Sequence, residues 1–462
     1  MSGDVSGRRG PRREEDADGS AKDAGGAAQG GGYGFETRSV HAGTQPDPLT
    51  GARQTPIYQN TSYVFHDADH AASLFNLQTY GFIYSRLTNP TVAALEERIA
   101  NLEGGRGGTC CASGHAAQMM LFTALMEPGD RFVASQRLYG GSITQFGKTF
   151  KKFDWHVDFV DTNDPDAVAA AIGERTRAIF VESLANPEGT VSDLERLARL
   201  AADAGIPLVV DNTLATPYLC RPIEWGADLV VHSTTKFLSG NGTSLGGCVV
   251  DSGRFDWGAV PGRYRSLAEP EPAYHGITFW ESFGDLAFTM WAHAVGLRDL
   301  GAAMAPMNAF QTLLGVETLP LRMQRQCENA RALALHLAEH PQVQRVSYPG
   351  VDATAPVQTE LAARYLPIGA GAVFTFELRG GYDACVRAVE RCNLFSHLAN
   401  VGDTRSLILH PASTTHRQLS EEQQRAAGAG PETVRLSVGI ETLEDLVADL
   451  DQALHGAEGV GG

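Results

Sequence analysis

The sequence predicts an α/β fold with two domains: a large domain built on a mainly parallel sheet, followed by a smaller α+β domain. Its 462 residues, 43% hydrophobic and 20% charged, exceed one average domain and allow a large core. From about residue 86 to 250, short apolar runs alternate with helical patterns, as in βαβ units. After an irregular stretch, helices and strands are mixed. We place the large domain at residues 86–320 and the small domain at residues 321–462.

Three short apolar runs predict neighbouring strands of the large domain, at residues 178–181, 207–210 and 229–231. Such runs are typical of strands that helices cover on both faces. A helix separates the first two runs. Ser192 and Glu195 form a capping-box pattern at its start, and Gly205 ends it. Strand, helix and strand in this order form a right-handed crossover, so we expect a doubly wound, mainly parallel sheet.

The remaining segments flank this alternation. Residues 1–34 contain almost no large apolar residue and predict a disordered tail, because they cannot bury enough surface to offset the entropy of ordering. Residues 35–85 are rich in Thr, Pro, Tyr and Asn and predict an extended arm that contacts a neighbouring subunit. Residues 251–320 are aromatic-rich and lack periodicity. We predict a long helix over residues 322–339, strands over 372–378 and 433–438, and an acidic terminal helix.

Composition argues against several classes of function. A formal net charge of −17 disfavours nucleic acid and anionic membranes as partners, since both bind clustered Lys and Arg. We find no apolar run long enough to span a bilayer and no apolar stretch after the charged N-terminus. The seven cysteines lack metal-ligand or framework spacing. We therefore predict reduced thiols, no metal site and a cytoplasmic location.

The strongest local signal is the segment 227–236, an apolar strand that runs into a hydroxyl-rich turn ending in Lys236. A lysine at the carboxyl end of a strand lies in the crevice where α/β sheets place ligands. Ser233 and Thr235 can bind an anion there, while the amine forms an imine with a carbonyl cofactor. Taken alone, the segment fits a surface lysine after a core strand equally well.

Two further features match a pyridoxal-5'-phosphate cofactor. Asp211 ends the neighbouring predicted strand, and a carboxylate beside the pyridine nitrogen keeps that ring protonated as an electron sink. Taken alone, Asp211 is better explained as a turn or cap residue. The small-residue turn at Ser113, Gly114 and His115 opens a helix, where free N–H groups bind phosphate. We expect His115 to contribute its backbone N–H.

Together these motifs closely resemble the cystathionine γ-synthase-like (Cys/Met metabolism) family of fold-type I pyridoxal-phosphate enzymes. The matching segments occur in the family's order: residues 84–91, 113–117, 139–141, 186–187, 211–213, 233–236 and 435–439. The resemblance runs from about residue 35 to the C-terminus. Residues 37–43, residues 75–78 and the insertion 251–320 look most like the branch that uses O-acetylhomoserine.

The resemblance implies roles at individual positions. Lys236 is the Schiff-base lysine and proton shuttle, Asp211 the partner of the pyridine nitrogen, and Tyr139 the residue stacked on the ring. Other cofactor contacts come from Gly114, His115, Thr213, Ser233 and Thr235, from Asn186 at the ring hydroxyl, and from Tyr84 and Arg86 of a neighbouring subunit. This implies an obligate dimer, usually paired into a homotetramer.

The resemblance also implies that Arg435 binds the substrate carboxylate in bidentate geometry, although a surface ion pair explains this residue better in isolation. Arg405 either tunes substrate choice or forms a structural salt bridge.

The implied reaction is γ-replacement on O-acetyl-L-homoserine, in which sulfide gives homocysteine and acetate and methanethiol gives methionine. O-acetylserine would give cysteine.

Cystathionine γ-synthase and O-succinylhomoserine sulfhydrylase share the cofactor residues and stay open as alternatives. A methionine γ-lyase is disfavoured, because Gly141 stands where that enzyme carries Cys. A nucleotide-binding oxidoreductase is disfavoured because the glycines of residues 240–246 have the wrong spacing. A non-catalytic scaffold is disfavoured because Lys236 and Asp211 are both present.

Overall fold

The computed structural model describes residues 32–455. The predicted tail, residues 1–34, lies outside the described residues except for its last three positions. Within the described part of the chain, no helix combines the length and the apolar composition needed to cross a membrane.

A seven-stranded sheet forms the centre of the large domain. Its strands are β1 (Gly107–Cys111), β2 (Arg131–Ser135), β3 (His156–Val160), β4 (Thr176–Glu182), β5 (Leu208–Asp211), β6 (Leu229–His232) and β7 (Gly247–Asp251). They lie in the order β1-β7-β6-β5-β4-β2-β3. Only β7 runs antiparallel to its two neighbours, and every other adjacent pair is parallel. The predicted α/β class and the three predicted strands β4, β5 and β6 are confirmed.

Both faces of this sheet are covered, which explains its continuous apolar strands. All seven residues of β4 are buried. On one face, Ile179 and Val210 pack with a cluster that includes Leu95 of the helix Pro90–Glu103. On the other face, Phe180 packs against Phe122 of the helix Gly114–Leu125, with ring centroids 6.1 Å apart. Strands buried in this way need apolar side chains at successive positions.

The α-helices surround the two sheets of the molecule. Their bounds are Phe35–His41, Ala68–Phe75, Pro90–Glu103, Gly114–Leu125, Gly140–Thr144, Pro165–Ala171, Leu194–Ala204, Thr216–Leu219, Arg265–Ala268, Phe279–Phe283, Ala287–Trp291, Arg298–Leu300, Pro306–Glu317, Leu319–Glu339, Pro356–Tyr365, Gly381–Arg391, Glu421–Ala426 and Leu443–His455. Two π-helical turns (Gln145–Thr149 and Ala292–Leu297) and five 3-10 turns (Phe150–Phe153, Pro222–Trp225, Pro272–Tyr274, Gly284–Leu286 and Pro411–Ser413) add to them.

The helix between β4 and β5 is confirmed, but its predicted cap is wrong. The residue that caps Leu194–Ala204 is Asp193, whose side chain accepts a hydrogen bond from the Arg196 N–H. The Ser192 hydroxyl instead donates to the carbonyl of Glu182 at 2.7 Å, because the chain leaves β4 and folds back beside it. Gly205 ends the helix with φ +64°, a left-handed conformation that glycine adopts without strain, as predicted.

The aromatic stretch after residue 250 belongs to the large domain's second core. Trp257, Tyr264, Phe279, Phe288 and Trp291 are all buried there, among short helices and turns. Because no long helix or strand presents these rings, they follow no regular period in the sequence.

The second sheet has five strands: β8 (Val343–Ser347), β9 (Val373–Leu378), β10 (Ser396–His397), β11 (Leu407–Leu409) and β12 (Thr433–Ser437). Their order is β10-β11-β12-β9-β8, and all pairs are antiparallel except β10 with β11. The helices Leu319–Glu339, Gly381–Arg391 and Leu443–His455 accompany it. The predicted smaller α+β unit is confirmed, and the predicted long helix starts three residues earlier than expected.

Residues 35–85 are less extended than predicted, because they contain two short helices. Asp67 caps the second, Ala68–Phe75, by accepting the His70 N–H at 2.7 Å. Several large apolar side chains of this segment face outward: Leu49 is 92% exposed and Val64 is 96% exposed. That exposure suits an arm that contacts another subunit, and this contact stays a prediction.

Candidate active site

Most of the predicted site residues converge at the carboxyl ends of β4, β5 and β6. In the parallel register, Asp211 lies opposite Glu182 on one side and Val231 on the other. The Thr213 hydroxyl accepts the Ser233 N–H at 2.8 Å, which ties the loop after β5 to the loop after β6. The sheet therefore brings together two segments that are twenty residues apart in the chain.

Lys236 follows β6 and is half-buried. Its Nζ donates a hydrogen bond to Oδ1 of Asn400 at 2.7 Å. Burial, and then the nearby charge of Arg435, lower the pKa of the Lys236 amine to about 8. At pH 7 roughly a tenth of an amine with this pKa is unprotonated, far more than for an ordinary lysine, and that fraction can attack a carbonyl group.

Asp211 and Glu182 form a pair of buried carboxyl groups on adjacent strands. Burial raises the pKa of Asp211, while hydrogen bonds from Thr213 oppose the shift; one of these runs from the Thr213 N–H at 3.0 Å. Burial and the Asp211 charge raise the pKa of Glu182 to about 8. Two carboxyl groups that penalise each other's ionisation favour a cation between or beside them. A protonated pyridine ring meets that requirement.

The predicted phosphate turn lies directly beside the lysine loop. Ser113 caps the helix Gly114–Leu125 by accepting the Ala116 N–H at 3.1 Å. Gly114 and His115 are the first two helical residues, and their N–H groups have no acceptor within the helix. A Cβ at Gly114 would lie 2.9 Å from the Cβ of Ser233, so only glycine allows this close approach. The arrangement suits a phosphate group held between the helix start and the loop after β6.

Thr235 is placed differently from Ser233. Its hydroxyl donates to the carbonyl of Gly246 at 3.2 Å and accepts the Gly246 N–H at 3.0 Å. These bonds anchor the lysine turn to the segment before β7.

Tyr139 lies over the start of the same helix. Its ring stacks on His115 with centroids 5.9 Å apart and an interplanar angle of 27°. Its N–H donates to Oε1 of Glu182 at 2.7 Å. A Cβ at Gly141 would lie 2.4 Å from Cε1 of Tyr139 and 2.9 Å from Cε1 of His115. The absence of a side chain at position 141 therefore permits this position of the Tyr139 ring.

Arg435 reaches the cleft from β12 of the small sheet. It is 4% exposed, which rules out the surface ion pair considered from sequence. Its Nη1 donates to Oδ1 of Asn186 at 3.2 Å, and its Nη2 donates to the carbonyl of Asn400 at 2.9 Å. The Nε atom is buried without a hydrogen-bond partner, and no carboxylate of the described residues forms an ion pair with this guanidinium.

Burial lowers the pKa of Arg435 to about 10, so it stays cationic at neutral pH. A buried cation bonded only to neutral oxygens is costly unless an anion joins it. The site therefore contains a buried cation that an anionic group, such as a carboxylate, could pair with.

Three predicted site residues lie apart from this cluster. The Arg405 side chain is 68% exposed and pairs with Asp403 at 3.1 Å, which corresponds to the structural salt bridge considered from sequence. The Arg86 guanidinium lies 5.5 Å from the ring centroid of Tyr84, and its Nη1 donates to the carbonyl of Arg298. Within one chain, Tyr84 and Arg86 thus contact each other and Arg298 rather than the lysine cleft.

Sequence reasoning missed two residues of the site. Glu182 accepts both the Tyr139 N–H and, at 2.8 Å, the Asn186 N–H, so one carboxylate holds two loops. Its signal was available, because Glu182 ends an apolar strand as Asp211 does. Asn400 contacts both Lys236 and Arg435 and had no such signal, since it lies in an irregular loop.

A cavity of about 450 Å³ opens beside Tyr139. Apart from Tyr139 and two glycines, its lining consists of His115, Thr144, Gln145, Thr149, Thr414, Thr415 and Gln418. None of these carries a permanent charge. Burial lowers the pKa of His115, and it lowers the pKa of the neighbouring His416 to about 4, so both imidazoles are neutral at physiological pH.

Comparison with known proteins agrees with this geometry. A sequence model of the family described as "Cys/Met metabolism PLP-dependent enzyme" matches residues 36–455. The chain is 50% identical to O-acetyl-L-homoserine sulfhydrylase 1 of Thermus thermophilus, over 91% of this chain and 99% of that protein. It is 47% identical to O-acetyl-L-homoserine sulfhydrylase of Leptospira meyeri, over 91% and 96% respectively. A crystal structure of a putative O-acetylhomoserine (thiol)-lyase from Campylobacter jejuni, containing a pyridoxyl-lysine phosphate residue, superposes with a TM-score of 0.87 at 39% identity, covering 92% of this chain and 100% of that one.

Proposed function

Because the chain belongs to the Cys/Met metabolism family of pyridoxal-phosphate-dependent enzymes, we propose that it replaces the acetate of O-acetyl-L-homoserine with sulfide to give L-homocysteine. Methanethiol in place of sulfide gives methionine. The observation that carries the proposal is the buried, anion-free Arg435 directed at the lysine cleft, together with the uncharged cavity beside it.

The cleft residues hold the cofactor in this proposal. Lys236 would attach it covalently, Asp211 would pair with the ring nitrogen, Tyr139 would stack on the ring, and Asn186 would contact the ring hydroxyl. The phosphate would be held by the N–H groups of Gly114 and His115 and by Ser233, with Thr213 fixing the loop and with Tyr84 and Arg86 reaching in from a neighbouring subunit. Thr235 would join them when its hydroxyl turns from the Gly246 carbonyl to the phosphate. Bound pyridoxal phosphate supplies an electron sink for charge that develops at the substrate Cα.

Substrate orientation rests on Arg435. Its guanidinium presents a planar fork that matches a carboxylate, and its buried Nε offers a further donor. The carboxylate of the amino acid supplies the anion that Arg435 lacks. This contact turns the substrate Cα towards Lys236, which shares Asn400 as a neighbour with Arg435.

Lys236 moves the protons. In the cofactor-free chain its amine has a pKa of about 8, so its unprotonated fraction at neutral pH would take the Cα proton. Loss of the Cα proton and one Cβ proton accompanies departure of acetate from Cγ. Sulfide forms the new C–S bond at Cγ, and both protons return to carbon. Each turnover consumes one O-acetylhomoserine and one sulfide and releases one homocysteine and one acetate.

The uncharged cavity supports the acetyl ester over the succinyl ester. A succinyl group carries a second carboxylate, and this lining offers it no cationic side chain as a partner. Cysteine, the thiol substrate of a cystathionine γ-synthase, likewise brings two charges that this lining does not match. In their protonated forms, sulfide and methanethiol carry no charge, so they need no charged partner in this lining. O-acetylserine is also compatible, so a cysteine-forming side activity belongs to the proposal.

We further propose a homotetramer in the cytoplasm, built from dimers that share active sites. Support comes from the exposed apolar side chains of residues 35–85 and from the seven cysteines, all of which are free thiols. Light scattering on the full chain measures the assembly, and a monomer with full activity would contradict shared sites.

A product assay tests the reaction. Cofactor-loaded protein receives O-acetylhomoserine, O-succinylhomoserine or O-acetylserine, each with sulfide, methanethiol or cysteine. We expect homocysteine from O-acetylhomoserine and sulfide to form fastest. Cystathionine as the main product, or oxobutanoate and ammonia without incorporation of the thiol, would instead assign the protein to the synthase or lyase branch.

A further inference from the structure

The loop between β10 and β11, residues 398–406, crosses directly behind the lysine. Gly402 has φ +79°, and a Cβ there would lie 2.6 Å from the Phe237 nitrogen and 2.9 Å from the Lys236 carbonyl carbon. The Gly402 N–H donates to the Ser437 hydroxyl at 2.9 Å. The small domain is thus pressed against the main chain of Lys236 at a position that only glycine can occupy.

Two residues before this contact, Asn400 bonds two basic side chains from different domains. Its side-chain Oδ1 accepts Lys236 Nζ at 2.7 Å. Its main-chain carbonyl accepts Arg435 Nη2 at 2.9 Å. Asn400 therefore fixes the distance between the lysine that moves protons and the arginine that receives the carboxylate.

An amide oxygen is suited to this task. It accepts a hydrogen bond but is not basic enough to take the proton, so it orients the amine without competing for it. When a neutral amine donates one N–H to Asn400, its single lone pair points in another direction. A carboxylate at the same position would instead stabilise the ammonium form.

We propose that Asn400 is a positioning residue that holds the released Lys236 amine, with its lone pair directed at the substrate Cα, during the stage when the substrate has displaced that lysine from the cofactor. The proposal rests on the proposed attachment role of Lys236 but not on the choice of ester or thiol. The bond from Arg435 to the same residue keeps this orientation aligned with the bound carboxylate.

The test uses exchange of the Cα proton of L-homoserine into D2O, followed by NMR, on cofactor-loaded enzyme. L-homoserine carries a poor leaving group, so exchange reports proton removal without γ-replacement. In Asn400→Ala we expect exchange to slow by about 10- to 100-fold, because a correctly placed base contributes about 10²–10⁴-fold. Cofactor content, measured by visible absorbance, should match the unmodified enzyme.

Asn400→Asp separates positioning from general damage. It keeps an acceptor beside Lys236 but adds a negative charge, so the pH profile of exchange should move upward by about one unit. Within the described residues, the charged or titratable groups that interact with the Lys236 amine are Arg435 on β12 and His115 at the helix start. Both are present in every variant.

Asn329→Ala is the matched control. The Asn329 amide also bonds main-chain oxygens of the small domain, those of Gly439 at 3.1 Å and Glu441 at 2.9 Å, without touching Lys236 or Arg435. We expect its exchange rate to stay normal.

Normal exchange in Asn400→Ala, loss of bound cofactor from that variant, or an unshifted pH profile in Asn400→Asp would overturn the proposal. Failure of the unmodified enzyme to make homocysteine while it still exchanges the Cα proton would overturn the proposed reaction alone.

Discussion

Replacing Arg435 by leucine separates a ligand-binding arginine from a structural one. In the free protein this guanidinium is buried and donates only to the neutral oxygens of Asn186 and Asn400. Loss of those bonds costs about 1–3 kcal/mol for each oxygen left without a partner. The substitution also removes a buried cation that has no anionic partner. This offsets the cost, because keeping such a cation away from water costs roughly several kcal/mol. The free energy of unfolding should therefore change by no more than about 1–2 kcal/mol.

Substrate binding should respond very differently. Truncating one partner of a buried charge pair costs about 2–5 kcal/mol, which corresponds to roughly 30- to 4000-fold in affinity. We expect KM for O-acetylhomoserine to rise, and kcat/KM to fall, by a factor in that range. Steady-state kinetics and thermal unfolding on the same preparation measure both quantities.

Arg405→Leu provides the comparison. Arg405 also lies in the small domain and was also predicted to bind substrate, but its exposed side chain pairs with Asp403. A surface pair contributes about 0–1 kcal/mol, so kcat/KM should change by less than about fivefold. Equal losses in the two variants, or a large loss of stability in Arg435→Leu with unchanged KM, would refute the account of Arg435 as an anion receptor.

Three further predictions concern the cofactor. Glu182→Ala leaves the N–H groups of Tyr139 and Asn186 without their acceptor. The Kd for pyridoxal phosphate should therefore rise by about 10-fold or more, as measured by fluorescence titration. An unchanged Kd would contradict a positioning role for Glu182. Gly141→Ala should displace the Tyr139 ring and weaken the visible circular dichroism of the bound cofactor, whereas Gly173→Ala, where a Cβ meets nothing within 4 Å, should leave it intact. The pKa of the free Lys236 amine is about 8, and only its unprotonated form reacts with the cofactor. The rate of cofactor attachment to the apo-protein should therefore rise about tenfold per pH unit below pH 8 and level off above it. Stopped-flow absorbance measures this rate, and a rate that does not change with pH would contradict the prediction.

Local patterns were sufficient for the strands and for the residues at their ends. Short apolar runs identify β4, β5 and β6, and parallel pairing then places Asp211 and the lysine loop side by side. Glu182 ends an apolar strand in the same way as Asp211. The local pattern does not reveal its role, because its carboxylate accepts the N–H of Tyr139, which lies 43 residues upstream. The misplaced helix cap shows the limit of this reasoning, since Asp193 rather than Ser192 is free to cap once β4 turns back on itself.

Tertiary packing decides the remaining features. Taken without the family resemblance, Arg435 was better explained as a surface ion pair, and only the docking of the small sheet against the lysine loop buries it. Asn400 lies in an irregular loop with no periodicity, so its contact with Lys236 depends entirely on that docking. The predicted contributions of Tyr84 and Arg86 involve a second chain and stay predictions, because within one chain these residues lie beside each other and Arg298.

The most direct measurement is the site of covalent cofactor attachment. The chain contains only five lysines: Lys22, Lys148, Lys151, Lys152 and Lys236. Reduction of the loaded enzyme with borohydride, followed by digestion and mass spectrometry, identifies which one carries the phosphopyridoxyl group. We predict label on the peptide containing Lys236, and loss of both label and homocysteine formation in Lys236→Ala. Label on any other lysine, or homocysteine formed at the normal rate by Lys236→Ala, would contradict the assignment on which every other role depends.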